Sequence, residues 1–155
     1  DERKYDAFIS FSQHDEEFVN EILLPQLESP PVGLPQYRLC IHYRDWLAGE
    51  WIADQIVRSV ATSKRTIVVL TENFLDSLWG KMEFRTAYEK VLTDKRMRLI
   101  IIVKGELPPF DKMDQELQTY LSLNTYLKYD DPFFMERLRY ALPHNTSTIE
   151  TCSRK

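Results

Sequence analysis

The chain has 155 residues, 43% hydrophobic and 28% charged, with a formal net charge of −4. That length suits one domain able to bury about two-thirds of its unfolded surface, and the composition is that of a soluble globular protein. Lys and Arg are scattered among acids with no basic stripe, which argues against nucleic-acid binding. The longest aliphatic run, Leu99 to Val103, is far too short to cross a bilayer.

Residues 1–4 read as a juxtamembrane or cloning remnant, and no signal-peptide pattern precedes Tyr5. A strand pattern this early suggests a domain cut from something longer, cytosolic in whole or in part. The apolar run Tyr5 to Phe11 predicts a first strand, and Ser12 with Asp15 resembles a capping box opening a helix. Asp15 and Glu16 are expected to be helix-start acids favoured by the helix dipole. The helix places Phe18, Ile22 and Leu27 on nearly one face, with Val19 and Leu23 beside them. Pro30, Pro31 and Pro35 should end it in a surface turn.

A second buried strand, Arg38 to His42, runs into a loop carrying Arg44, Asp45, Trp46, Leu47, Ala48, Gly49, Glu50 and Trp51. Exposed apolar surface costs roughly 25 cal/mol per Å², so two indoles and a leucine among charges suggest a surface built to be covered. The alternative is that Trp46 and Trp51 fold back onto the core, and for Trp51, at the helix start, that alternative is favoured. Cys40 in the strand should behave as a small buried hydrophobe. Cys152 lies in a polar tail, and a bridge between the two has no structural logic, in keeping with a reducing compartment.

The second helix carries Ile52, Ile56 and Val60 at helical spacing, and Thr66 to Leu70 predicts a third strand buried on both faces. A short helical piece then reaches Trp79, and a longer helix shows Phe84, Ala87, Tyr88, Val91 and Leu92 as an apolar stripe. Leu99 to Val103 is the fourth strand. Beyond Pro108 and Pro109 a small helix holds Leu117, Tyr120 and Leu121, and Thr125 to Lys128 is the weakest strand pattern. Asp131 as N-cap with Pro132 at the first helical position opens a last helix. Its core side is Phe134, Leu138, Ala141 and Leu142, and Pro143 stops it. Residues 145–155 carry no pattern and are expected to be a disordered tail.

Strands alternating with helices five times imply an α/β, flavodoxin-like parallel sheet of order 2-1-3-4-5 with helices on both faces. Function in such a sheet concentrates where strands hand over to helices: Phe11 to Glu16, Tyr43 to Trp51, Thr71 to Gly80, Lys104 to Asp114 and Asp130 to Phe133. The four glycines, 33, 49, 80 and 105, are too dispersed for a phosphate cradle. Strand three ends Leu70-Thr71-Glu72, without the aspartate of a phospho-receiver, and no Gly-x-Ser-x-Gly elbow occurs. His14, His42 and His144 have no zinc spacing. One catalytic candidate remains: Glu83 follows Trp79 by four residues, and a carboxylate beside a ring could steady a cationic sugar intermediate. Against it stands a solvated helix acid beside Lys81 and Arg85.

These residues resemble a known family. Tyr5-Asp-Ala-Phe-Ile-Ser-Phe11 is similar to the first signature box of TIR (Toll/interleukin-1 receptor) domains, and Arg44-Asp45-x-x-x-Gly49 to the second. Phe134 with Leu138 and Ala141-Leu142-Pro143 resembles the third box, and Ser77-x-Trp79-x-x-x-Glu83-Phe84 the third-helix motif. The resemblance covers residues 5–144, and its spacing is similar to that of Toll-type receptors, of the invertebrate kind. It departs at Ala48, where the family usually has proline, at Met135, where it usually has tryptophan, and at Ser12-Gln13, where it tends to carry basic groups.

The resemblance implies the cytoplasmic signalling domain of a single-pass receptor. Such a domain pairs with itself and recruits TIR-containing adaptors that carry death domains, in innate immune or developmental signal transduction. It implies partner binding through residues 44–51, no cofactor, no nucleic acid, and membrane contact only through a transmembrane segment outside this sequence. The rival expectation, an NAD glycohydrolase with NAD as substrate, rests on the family's catalytic glutamate aligning with Glu83.

Overall fold

The computed structural model describes residues 4–41, 52–79, 82, 85, 86, 89, 99–109, 111, 113–123 and 126–143. Five parallel strands, β1 (Tyr5–Ser10), β2 (Leu39–Ile41), β3 (Ser63–Leu70), β4 (Leu99–Val103) and β5 (Tyr126–Lys128), form one sheet of order β2-β1-β3-β4-β5. This is the order read from the pattern of the chain. β3, the longest, is central and carries Ile67, Val68, Val69 and Leu70 buried on alternating faces. β5 is three residues long, lies at the sheet's end and buries little, as its weak pattern suggested.

Successive side chains of a strand point to opposite faces, so the sheet separates two apolar layers. On one face Ala7, Ile9, Ile41, Ile67 and Ile102 pack with the first and last helices through Leu23, Leu27 and Leu138. On the other, Phe8, Cys40, Val68 and Ile101 pack with Ile56, Phe74, Trp79, Leu117 and Leu121. Helix α2 (Ile52–Ala61) sets Ile56 into this layer, and Val60 packs against it. Helix α4 (Gln115–Leu123) supplies Leu117 and Leu121.

The first helical run, α1 (residues 13–28), is irregular. It opens with a 3-10 turn at Gln13–Asp15, makes an α turn at Glu16–Phe18, widens to a π turn at Val19–Leu23 and closes as α-helix at Leu24–Glu28. Pro25 explains the widening: it offers no N–H to the Glu21 carbonyl and its ring would collide with it. The Leu24 N–H reaches the Val19 carbonyl, five residues back. The apolar stripe survives, with Phe18, Val19, Leu23 and Leu27 buried and Ile22 packed at the margin.

β1 ends at Ser10 and β2 begins at Leu39, each one residue inside its apolar pattern, and two further boundaries differ by more. β3 begins at Ser63, three residues before the apolar run, because backbone pairing of Tyr5 with Ser63 and Ala7 with Arg65 is indifferent to side-chain polarity. Helix α5 (Phe134–Ala141) starts after Phe133, and Asp131 is not its N-cap. Asp131 instead closes the turn before it, accepting from the Phe133 N–H at 2.8 Å through Oδ1 and from the Phe134 N–H at 3.0 Å through its carbonyl. The buried side of α5 is as expected: Phe134, Leu138 and Leu142 are buried, and Ala141 packs beside them.

Candidate interaction edge

Ile9 pairs with Ile41, and Leu70 pairs with Val103, which pairs with Lys128, so the strands finish together along one edge of the sheet. A polar clamp ties two of its loops. Ser12 caps α1, its hydroxyl accepting from the His14 N–H at 3.2 Å and its carbonyl from the Asp15 N–H at 2.8 Å. Asp15 does not return the capping-box bond. It is 8% exposed, and it accepts from the Thr71 hydroxyl at 2.5 Å and from the Asn73 amide at 3.1 Å.

Thr71, itself the cap of the helical run α3 (residues 72–79), accepts from the Phe74 N–H at 3.0 Å. Ser77 donates to the Asn73 carbonyl at 2.8 Å and lies 2.9 Å from the Ser12 hydroxyl. Each hydroxyl has one hydrogen to give. With Ser77 spent on Asn73, Ser12 donates to Ser77. The loops after β1 and β3 are therefore locked side chain to side chain. Asp15 does stand in the first turn, as expected of a helix-start acid, and its carboxylate is held in addition by Thr71 and Asn73, more than fifty residues away in sequence.

A second, aromatic cluster covers the other end of this edge. Tyr129 meets Phe18 edge-on at 4.8 Å and Phe134 at 5.3 Å, and the Lys104 ammonium stands 5.1 Å over the Phe18 ring. Backbone bonds from Lys104 N–H to Leu70 and from Tyr129 N–H to Val103 fix the loops after β4 and β5.

Trp79 is 3% exposed and belongs to the core. The Arg85 guanidinium lies 5.1 Å from its ring, donates to the Trp79 carbonyl at 3.1 Å and pairs with Asp114 at 3.6 Å. Arg85 is thus a strut between α3 and the start of α4. Cys40 is buried, its thiol 3.6 Å from the Ser59 hydroxyl. Among the described residues no three His, Cys, Asp or Glu side chains gather as metal ligands, and no helix is long and apolar enough to cross a membrane.

The partner-binding residues expected from sequence, Arg44, Asp45, Trp46, Leu47, Ala48, Gly49, Glu50 and Trp51, lie outside the described residues. So do Glu83, His42, His144, Cys152, the stripe from Phe84 to Leu92 and the 145–155 tail. The structure fixes the two ends of the 42–51 segment: Ile41, in register with Ile9, and Ile52, the first residue of α2. Sequence reasoning listed all the loops of this edge but missed the Asp15 clamp.

A five-stranded parallel sheet in this order, with loops cross-tied at the strand ends, defines a doubly wound domain. Residues 4–129 match the TIR domain, and the chain belongs to that family. It is 48% identical over 143 residues to Protein toll of Drosophila melanogaster, covering 92% of the chain and 13% of that protein. It is 35% identical over 150 residues to Toll-like receptor 7 of the same organism, covering 96% of the chain and 10% of that protein. The chain therefore spans a small fraction of the curated relatives it matches. Its fold matches the TIR domain of a Toll-related receptor from Hydra magnipapillata with a TM-score of 0.63 at 26% identity, over 87% of this chain and 95% of that one. The resemblance read from the signature boxes is borne out: this is a TIR signalling module of the Toll-receptor type.

Proposed function

We propose that the domain acts by docking, without chemistry: it associates with its own kind and recruits TIR-containing adaptors that carry death domains, on the cytoplasmic face of a membrane-bound Toll-type receptor. Residues 44–51 are the contact surface. Arg44 and Asp45 order it or pair with the partner, Trp46 and Leu47 supply apolar anchors of the kind that dominate interface energies, and Gly49 permits a turn.

The observation that carries this reading is the clamped edge. Asp15, Thr71, Asn73, Ser77 and Ser12 satisfy one another, which makes a stiff platform beside the strand, β2, that leads into the segment. A stiff platform beside a contact segment loses less entropy on association. Light scattering across a wide concentration range tests the homotypic part. Wild type should gain mass with concentration, and Trp46→Ser with Leu47→Ser should remain monomeric at an unchanged melting temperature. The rival chemistry is tested by incubating concentrated domain with NAD. Nicotinamide release that disappears in Glu83→Gln overturns the docking reading.

A further inference from the structure

The edge opposite the docking rim, where strands begin, has a different character. Lys4, Arg38 and Arg58 are exposed there, and Lys64 and Arg65 lie half-buried at the start of β3. Against them stand Asp6 and Glu28. Asp6 is already engaged: it accepts the Arg38 backbone N–H at 2.8 Å and pairs with Lys64 at 3.7 Å. Among the described residues the far rim leans the other way: Glu17, Glu72, Asp76, Glu106, Asp111 and Asp130 are exposed there, against Lys104 and Lys128. Among the described residues, a chain of net charge −4 thus shows a basic strand-start edge.

That basic end also carries an apolar projection. After α1, the Leu34 N–H bonds the Pro31 carbonyl at 3.2 Å and Gly33 has φ 95°, a type II turn with Val32 at its tip. Val32 is fully exposed and Leu34 is 41% exposed. The turn is anchored, since the Tyr37 N–H bonds the Leu27 carbonyl at 2.9 Å. It borders an open depression of about 520 Å³ lined by Lys4, Tyr5, Glu28, Gln36, Tyr37 and Arg38.

We propose that this edge seats on an anionic phospholipid surface, with Lys4, Arg38, Arg58 and Arg65 facing the headgroups and the Val32–Leu34 turn dipping among them. The proposal rests on the reading that the domain works beside a membrane, and it adds a direct lipid contact to any tether. Charge complementarity favours the membrane: a basic residue near an anionic leaflet is drawn in, and the attraction fades within a Debye length of about 8 Å. The eight residues of β3 span about 26 Å at roughly 3.3 Å each. The acidic rim therefore lies beyond the reach of the repulsion and faces away, toward partners.

The test uses the purified chain with phosphatidylcholine vesicles, made with or without phosphatidylserine, in a sedimentation assay. Binding should rise about tenfold with phosphatidylserine and fall back as salt is raised. Lys4→Glu with Arg38→Glu should lower it about tenfold, and Val32→Ser with Leu34→Ser about fivefold. Lys104→Glu with Lys128→Glu, the same charge change at the far rim, should leave it unaltered. Equal binding to both vesicle types, or charge reversal without effect, overturns the proposal. So does a reversal that changes self-association in vesicle-free solution while leaving vesicle binding intact, since the edge would then be a protein contact. Adaptor capture in solution by the Lys4/Arg38 variant, intact whatever the vesicles show, keeps the docking reading separate from this one.

Discussion

Asp15 sits at a helix start, where a carboxylate ordinarily serves backbone N–H groups, yet its two oxygens take Thr71 and Asn73. Removing it leaves the Thr71 hydroxyl without its acceptor in a buried place. Asp15→Ala should cost about 1–3 kcal/mol. Urea denaturation of Asp15→Ala, Thr71→Val and the double variant should show a coupling above about 0.5 kcal/mol; strict additivity would show that the clamp is ornamental. Tyr37 offers a pH-dependent check. Burial raises its hydroxyl pKa above 10.0, with Asp6 adding to the rise and Arg139 opposing it. A raised folded-state pKa means stability that is whole below the unfolded value and lost as pH climbs through the folded one. Melting temperature should therefore drop above pH 10, and Tyr37→Phe should flatten part of that drop. Neither residue's role was legible from sequence, because each depends on partners that only the fold brings near. The core stripe of α5, by contrast, was fully legible, since Phe134, Leu138 and Leu142 follow helical spacing.

The parallel strands were legible where burial imposes a continuous apolar run, as in Thr66 to Leu70 and Leu99 to Val103. The early start of β3 at Ser63 was not, since backbone pairing alone extends it. The π turn in α1 could have been inferred from Pro25, the signal that the sequence reading passed over. At the turn after α1 the conformation makes a definite demand. Gly33 has φ 95° with open space where a Cβ would stand, so strain alone decides a substitution. Gly33→Ala should lower stability by about 1 kcal/mol. A neutral result in thermal melts would mean that the turn relaxes at no cost. Val32→Ser, at the exposed tip, should change stability by less than about 0.5 kcal/mol.

The two edges of the sheet differ in character. The strand-end rim is stiffened by the Asp15 clamp and the Tyr129 aromatic cluster, and the strand-start edge is basic with an apolar turn. Topology was legible because alternating strand and helix patterns admit few right-handed arrangements, and the family was legible because its signature boxes occur in order. The side-chain ties that stiffen the rim were not, for want of any local signal.

The most direct measurement is capture of a TIR-containing adaptor by wild type and by Trp46→Ser with Leu47→Ser, each shown to melt at the same temperature. The docking account predicts that the double variant loses at least about tenfold in binding. Undiminished capture by the double variant would contradict it.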